Sequence, residues 1–301
     1  MEGTILKVNN LSKNYGSKTV LNDVSFSIEK GKIYGFIGEN GAGKTTTIRA
    51  ITGLTEAPEG TVELFGASDK KGLLKARKRM GCLVENPILS QNKTAWENLE
   101  LQQVLYGKED KSKIAPLLAR VGLGDVSNKK VKDFSMGMKQ RLGIAMTLVY
   151  SPELLILDEP VNGLDPVGMY EVRELLRSLC EDDGITILIS SHILTELYQL
   201  ASDYIIISHG RIIETLSREE LDARCASYIT FETDETAAAI DVLHRNGVES
   251  VGCEGNNIRV FDDVPLKNVA RWMYDAKILV TMLMRSERSL ESYYIELLGR
   301  N

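Results

Sequence analysis

A glycine-rich stretch near the N-terminus, GENGAGKT at residues 38–45, combines residue types and spacing that bind phosphate. It satisfies G-x-x-x-x-G-K-[ST], in which glycines let the backbone wind tightly and aim N–H groups at phosphate oxygens. We predict that Lys44 reaches the β- and γ-phosphates of ATP and that Thr45 binds Mg²⁺. The alternative is a glycine turn beside a surface lysine. The predicted ATP contacts of this stretch are Gly38, Asn40, Gly41, Ala42, Gly43, Lys44, Thr45 and Thr46.

Two carboxylates follow an apolar run in LLILDEP, residues 154–160. Asp158 ends a predicted buried strand, where an ionised carboxylate is costly unless it meets a cation. Mg²⁺ held through water is such a cation. Glu159 comes next and is predicted to polarise an attacking water. The alternative is a pair of solvated acids at the end of a strand.

A histidine follows the next apolar run, ITILISSH at residues 185–192. Ligands of a parallel sheet lie beyond the carboxyl ends of its strands, so His192 is predicted to share an edge with Glu159 and the phosphate loop. A neutral imidazole there would donate to the γ-phosphate or orient the water. The catalytic candidates are therefore Glu159, His192 and Lys44, and a purely structural hydrogen bond is the alternative for His192.

The stretch FSMGMKQR, residues 134–141, precedes another predicted helix. Ser135 is the predicted N-cap of that helix, which would run to about Tyr150. With Gly137 it makes a second anion site at a helix N-terminus. Since the rest of the chain suits one nucleotide, the second site is expected to serve the ATP of another subunit.

The strands that must position these residues are of two kinds. Residues 5–15 and 20–38 alternate apolar and polar side chains, as antiparallel strands do. Residues 154–160 and 185–192 are continuously apolar, which is typical of a parallel sheet covered on both faces. After about residue 220 the predicted order is β-α-β-β-α-β, that of a ferredoxin-like unit.

Composition limits the class of protein and its partners. The chain has 301 residues and a net charge of -6, which opposes nucleic acid as the main partner. The basic cluster at residues 70–81 is interpreted as a solvated face. Four cysteines without C-x-x-C spacing predict reduced, mostly buried thiols in the cytosol. We find no signal peptide pattern and no apolar run of membrane length, so other chains would have to cross any membrane at which the protein acts.

The motifs GENGAGKT, FSMGMKQR, LLILDE, NGLD and SSH, in their positions along the chain, resemble those of the ATP-binding subunits of ABC transporters. The resemblance covers residues 4–220. It implies an α/β P-loop (RecA-like) core with an antiparallel β-subdomain and a helical insert at about 88–150. With the ferredoxin-like unit, the expected domains are 1–220 and 221–301. It also implies that ATP hydrolysis drives export through separate integral membrane permease subunits.

The same resemblance implies a second ATPase subunit, expected to be identical and stacked head to tail, with two ATP molecules at the interface. Tyr15 would stack on adenine, and a plain strand-end tyrosine is the alternative. Asp165 would contact the partner's ATP, and it also fits the N-cap of a predicted helix that begins at Pro166. The contacts made with the partner's ATP would be Ser135, Gly137, Met138 and Asp165.

Two residues depart from the family pattern. The family pattern Leu-Ser-Gly-Gly-Gln is replaced by Phe-Ser-Met-Gly-Met at residues 134–138. Met136 occupies the position of the first glycine, so we expect its backbone to have no positive φ. Glu85 stands where a glutamine normally joins the Mg²⁺ site to the membrane partner, whose coupling helix would dock near residues 85–106. A carboxylate can still bind the ion, so the predicted metal ligands are Thr45, Glu85 and Asp158; a merely exposed Glu85 is the alternative.

Glu85, SSHILTEL and SLESYYIEL resemble the subgroup that exports bacitracin and lantibiotics. We therefore expect an exporter subunit, for a peptide antibiotic or a drug, that is cytoplasmic and peripheral to the membrane; related drug and sodium exporters share much of this pattern. The alternative is an ABC ATPase that acts on ribosomes or DNA, but those usually carry two cassettes or a long coiled coil, and this chain has one cassette and no heptad run. A non-enzymatic binding module is disfavoured by the intact Glu159.

Overall fold

The computed structural model describes residues 3–58, 61–107, 109–126, 128–225, 227–286 and 289–299. The chain divides into two units, Met1–Arg218 and Glu219–Asn301. None of the helices in these described ranges combines the length and the apolar character that a bilayer span requires.

The first unit is built from strands and helices that alternate over most of its length. Its strands are β1 Thr4–Tyr15, β2 Lys18–Glu29, β3 Ile33–Ile37, β4 Val62–Leu64, β5 Met80–Leu83, β6 Leu154–Asp158, β7 Thr186–Ser191, β8 Asp203–Ser208 and β9 Arg211–Ser217. Its α-helices are α1 Lys44–Thr52, α2 Lys70–Ala76, α3 Ala95–Leu105, α4 Ile114–Arg120, α5 Met136–Leu148, α6 Pro166–Glu181 and α7 Leu194–Tyr198. Short 3₁₀ turns lie at Arg77–Arg79, Lys111–Lys113, Gly124–Val126 and Val131–Asp133.

A six-stranded sheet of order β5-β6-β7-β3-β8-β9 forms the centre of this unit. All its pairs are parallel except β8 with β9. Every residue of β3, β6 and β7 is buried, which confirms the prediction of a parallel sheet covered on both faces. Ser191 of β7 lies opposite Ile37, and Asp158 of β6 lies opposite Ser190. The residues that follow these strands therefore meet at one edge.

An antiparallel sheet of order β2-β1-β4 packs beside the central sheet. The inward side chains of β2 include Leu21 and Phe26, and they share one hydrophobic core with Phe36 of β3 and Ile48 of α1. The ring centroids of Phe26 and Phe36 are 5.7 Å apart. This common core fixes the antiparallel sheet against the strand and the helix that flank the phosphate loop.

Helices α3, α4 and α5 lie within residues 88–150, as predicted. Thr94 begins α3 with a capping box. Its hydroxyl accepts from the N–H of Glu97 at 3.2 Å, and the Glu97 carboxylate accepts from the N–H of Thr94 at 2.7 Å. Helix α5 ends at Leu148, close to the predicted end.

The second unit has the predicted order β-α-β-β-α-β followed by a helix. Its elements are α8 Arg218–Arg224, which starts at the boundary, β10 Tyr228–Glu232, α9 Thr236–Arg245, β11 Val251–Glu254, β12 Asn257–Val260, α10 Leu266–Asp275, β13 Met282–Ser286 and α11 Leu290–Gly299. The strands pair antiparallel in the order β11-β12-β10-β13. The last strand, β13, begins at Met282, after Lys277 has taken a left-handed φ of 61° beyond the end of α10.

The prediction of mostly buried cysteines is wrong. Cys82 and Cys253 are exposed, and Cys180 and Cys225 are half-buried. On β5 the neighbours of Cys82, Gly81 and Leu83, are buried. Because side chains alternate along a strand, Cys82 points to the opposite, open side.

Candidate functional site

The predicted phosphate loop, residues 38–45, connects β3 to the first turn of α1. Gly41 and Gly43 take left-handed φ values of 84° and 113°, which glycine adopts without a steric penalty. A Cβ on Gly43 would lie 2.6 Å from a side-chain methyl of β2, and one on Gly38 would lie 2.5 Å from the carbonyl oxygen of Ile207. The loop is therefore wound tightly against its neighbours.

Lys44 is buried, with 5% of its surface exposed. Its Nζ donates to the carbonyl oxygens of Gly38 at 2.6 Å and Glu39 at 3.3 Å, and it lies 3.2 Å from Glu159 Oε1. A buried ammonium requires such partners. Phosphate oxygens entering the loop would compete with Glu159 for this cation.

Thr45 and Asp158 form the pair of oxygen donors that the sequence predicts. The Thr45 hydroxyl donates to Asp158 Oδ2 at 2.8 Å, and Ser190 Oγ donates to Asp158 Oδ1 at 2.5 Å. Within the described ranges, no group of three or more His, Cys, Asp or Glu residues is arranged to hold a metal ion. Two hard oxygen donors fit Mg²⁺, which keeps waters and phosphate oxygens among its ligands.

Glu159 leaves the end of β6 with a left-handed φ of 51°. Its N–H donates to Ser190 Oγ at 2.9 Å, so Ser190 holds both neighbouring acids. Its Oε2 lies 2.9 Å from His192 Nδ1, while its other oxygen faces Lys44. The three predicted catalytic side chains are thus in direct contact, with Glu159 in the middle.

Two cavities open on either side of this cluster, with volumes of about 510 Å³ and about 430 Å³. The first is lined by Lys18, Thr19, Val20, Glu39, Asn40, Gly41, Gly43, Lys44, Thr45, Thr46, Glu159, Asn162 and His209. The second is lined by Thr45, Glu85, Asn86, Met136, Gln140, Asp158, Glu159, Asn162 and Gly163. Thr45 and Glu159 belong to both, so the phosphate loop and the acids form a shared wall.

The FSMGM stretch begins α5 as predicted. Ser135 Oγ accepts from the N–H of Met138 at 3.2 Å, which confirms the N-cap. Met136 is 49% exposed and has no positive φ, as the departure from the family pattern requires. The Met136 side chain packs against Gly163, where an added Cβ would lie 3.1 Å from Met136 Cε. Gly137 is buried against α6. The tip therefore presents Ser135 and Met136 to solvent.

Asp165 caps α6. Its Oδ1 accepts from the N–H of Gly168 at 2.9 Å, and Pro166 is the first helical residue. This confirms the capping role that the sequence allows for Asp165. Its predicted contact with a partner's ATP stays a prediction.

Comparison with known proteins identifies the family. A family profile described as ABC transporter matches residues 21–162. The bacitracin transport ATP-binding protein BcrA of Bacillus licheniformis is 39% identical over 308 residues, covering 98% of this chain and 98% of that protein. This chain belongs to the ABC transporter family. It is an ATP-binding subunit that hydrolyses ATP.

Two further ABC proteins agree with this assignment. The lantibiotic transport ATP-binding protein SrtF of Streptococcus pyogenes is 44% identical over 231 residues, covering 76% of this chain and 99% of that protein. The structure of CbiO1 from Clostridium perfringens, part of the ABC transporter complex CbiONQ, matches with a TM-score of 0.67 and 27% identity. It covers 81% of this chain and 96% of that chain. The predicted P-loop ABC ATPase fold is confirmed.

Glu85, the departure from the ABC pattern, follows β5 with a left-handed φ of 62°. It lines the second cavity together with Thr45 and Asp158. Its Oε1, however, lies 2.5 Å from Arg49 Nη2 of α1, and 61% of its side chain is exposed. The carboxylate faces Arg49 rather than the Thr45–Asp158 pair, so its role as a metal ligand stays a prediction.

Tyr15, the predicted adenine platform, ends β1 opposite Lys18. It is 49% exposed, and Lys13 Nζ lies 5.7 Å from its ring centroid. The residues that line the first cavity in the described ranges do not include Tyr15. The structure therefore places it beside the candidate site, and its stacking role is a prediction.

Ser190 and His209 were not among the site residues predicted from the sequence. Ser190 holds Asp158 and Glu159 but lies inside an apolar run that predicts only a buried strand. His209 lines the first cavity. His209 directly follows β8, which is parallel to β3. The rule that places ligands beyond the carboxyl ends of parallel strands was therefore a signal for His209 as well as for His192.

Proposed function

We propose that this chain is the ATPase subunit of an exporter of peptide antibiotics and acts at the cytoplasmic face of the membrane through separate permease subunits. The names of the relatives, bacitracin and lantibiotic transport proteins, support the substrate class. The contact of Glu159 with both Lys44 and His192 carries the mechanism. The transport names also favour this function over action on ribosomes or DNA.

The phosphates of ATP would lie on the N–H groups of the loop and the N-terminus of α1, with Lys44 donating to β- and γ-oxygens. Once Lys44 binds phosphate, the Glu159 carboxylate is available to accept a proton from the attacking water. The water oxygen bonds to the γ-phosphorus as the bond to the bridging oxygen of ADP breaks. His192 contacts Glu159 Oε2 and orients the carboxylate.

Thr45 and Asp158 would hold the Mg²⁺ ion. When bound, the ion neutralises charge on the β- and γ-phosphate oxygens. Ser190 donates to the other oxygen of Asp158 and fixes the orientation of the carboxylate, as outer partners of metal ligands do. Asp158 is 2% exposed, so a bound cation would offset the cost of burying its carboxylate.

A second copy of the ATPase subunit would complete each site. The exposed tip of α5, with Ser135 as its cap, supports this proposal because a helix N-terminus attracts phosphate. Burial of Gly137 against α6 leaves Ser135 and the N–H groups next to it as the contacts offered to the partner's ATP. We take the partner to be identical.

The permease would dock in an apolar groove of about 450 Å³. Its walls include Ile88, Leu105 and Leu54, which are 94%, 72% and 66% exposed. An amphipathic helix is the partner that such a groove fits. This groove overlaps the stretch 85–106 that the sequence assigns to the coupling helix.

We also propose that the two units are domains with the predicted boundary near residue 220. The second unit has a hydrophobic core of its own that includes Phe231, Ile258 and Val269. A separate core is the property that lets a segment form a domain.

The function is tested by ATP turnover of the complex with its permease, reconstituted in vesicles, with bacitracin or a lantibiotic added. We expect the peptide to raise turnover. Leu105→Asp should abolish this stimulation while ATP binding persists. Leu279→Asp is the matched control, because Leu279 is 73% exposed but lies in the second unit. Stimulation by ribosomes or DNA, with none by peptide, would contradict the proposal.

A further inference from the structure

His209 lines the cavity at the phosphate loop but has no role in the proposed hydrolysis mechanism. It occupies the turn between β8 and β9 and lines the first cavity with Lys18, Thr19 and Val20. The acids Asp158 and Glu85 line the second cavity instead. His209 therefore lines the cavity that Asp158 does not reach.

The backbone holds this turn against both the phosphate loop and β2. The N–H of Gly210 donates to the carbonyl oxygen of Ala42 at 2.9 Å, and the N–H of Asn22 donates to the Gly210 oxygen at 2.8 Å. A Cβ on Gly210 would lie only 2.3 Å from the carbonyl oxygen of Val20. These two hydrogen bonds and the close approach to β2 fix the turn, so the position of His209 is set by β2 and by the loop that binds phosphate.

The imidazole has one nitrogen engaged. Nδ1 of His209 lies 2.8 Å from Ser208 Oγ. In the described part of the chain no protein group hydrogen bonds to Nε2, and the side chain is exposed. His209 also takes a left-handed φ of 48°, a conformation in which histidine and asparagine are enriched among residues other than glycine.

We propose that His209 binds the nucleoside half of ATP through Nε2. With the phosphates on Lys44 and Thr45, the nucleoside must extend toward one of the two cavities. The second contains Asp158, which the metal requires and which does not line the first. The first leaves the wall of Lys18 to Val20 and the His209 imidazole for the sugar and base. This inference rests on the proposed placement of the phosphates.

The test compares ATP with inorganic tripolyphosphate, which has the phosphates but no nucleoside. We measure equilibrium binding of both to the full chain and to His209→Asn, which tolerates the same φ but has a shorter side chain. His209→Gly is the second variant, since it removes the side chain without backbone strain. His244→Asn, an exposed position in the second unit, is the matched control.

Loss of one hydrogen bond predicts ATP binding about 2- to 10-fold weaker in both His209 variants, with tripolyphosphate binding unchanged. Equal losses for ATP and tripolyphosphate would overturn the proposal, because His209 would then act through the loop. Unchanged ATP binding would overturn it too. If the wild-type chain binds ATP more tightly than 2′-deoxyATP and the His209 variants do not, the contact is with the sugar. If the wild-type chain prefers ATP to GTP and the variants lose that preference, the contact is with the base. Failure of the wild-type chain to bind tripolyphosphate would instead reject the phosphate placement.

Discussion

Replacing Glu159 with glutamine separates ATP binding from ATP hydrolysis. Glutamine has nearly the same size and can still contact His192, so the fold should be kept. It cannot accept the proton of the attacking water, and losing a general base costs about 10²- to 10⁴-fold in rate. We therefore expect Glu159→Gln to lower turnover at least about 100-fold.

The same change should strengthen ATP binding. Glu159 Oε1 lies 3.2 Å from Lys44 Nζ, and Lys44 is only 5% exposed. Phosphate has to displace this carboxylate from the ammonium, whereas a neutral amide competes less. A charged hydrogen bond exceeds a neutral one by about 1 kcal/mol, which predicts ATP affinity about 3- to 10-fold higher.

The assays are phosphate release in a single turnover and equilibrium titration with a fluorescent ATP analogue. With ATP bound and hydrolysis blocked, light scattering should show a persistent dimer. Glu153→Gln is the matched control, because Glu153 precedes the same strand at its opposite end and pairs with Arg79 at 2.7 Å. Turnover of Glu159→Gln within threefold of the control would refute the assigned role.

Three further outcomes are expected. Lys44→Ala should weaken ATP binding about 10- to 100-fold in the same titration, since charged hydrogen bonds to phosphate are lost, and unchanged affinity would contradict the phosphate assignment. Gly210→Ala should lower the free energy of unfolding, measured in urea, by about 2–4 kcal/mol, because it adds a backbone clash to the strain of a positive φ. Gly184→Ala, also at a positive φ but with open space around the new methyl group, should cost about 1 kcal/mol. Equal costs for the two variants would refute the clash. The hydrogen bond from Arg79 lowers the pKa of Glu153 below its ordinary value. The stabilisation by Glu153 relative to Glu153→Gln should therefore be full above about pH 5 and be lost progressively in more acidic solution; a difference that grows in acid would contradict it.

Local signals in the sequence were enough for the phosphate loop and the helix caps. The glycines of residues 38–45 must wind tightly because of their spacing, and the structure shows the left-handed φ values at Gly41 and Gly43. Ser135 and Asp165 cap their helices because a short polar side chain before a helix can bond the first free N–H groups. These interactions span only a few residues, so they are readable without the fold.

Alternating and continuous apolar patterns also predicted the sheets and the edge where the site forms. The same patterns did not indicate which face of a strand is covered by the rest of the protein. The cysteines were expected to be mostly buried, yet Cys82 lies on the open face of β5 and is exposed. Which face is covered depends on how distant elements pack, which hydropathy does not encode.

Only the tertiary structure decided the partners of the charged side chains. Glu159 joins Lys44 and His192, which are far apart in sequence, and Glu85 faces Arg49 rather than the metal donors. Motif spacing brings residues to the same edge of the sheet, but a hydrogen bond requires atoms within about 3 Å in a set orientation. That precision comes from strand register and from packing between distant segments. The types and order of the residues therefore determined which chemical groups are available, and the assembled fold determined which of those groups contact one another.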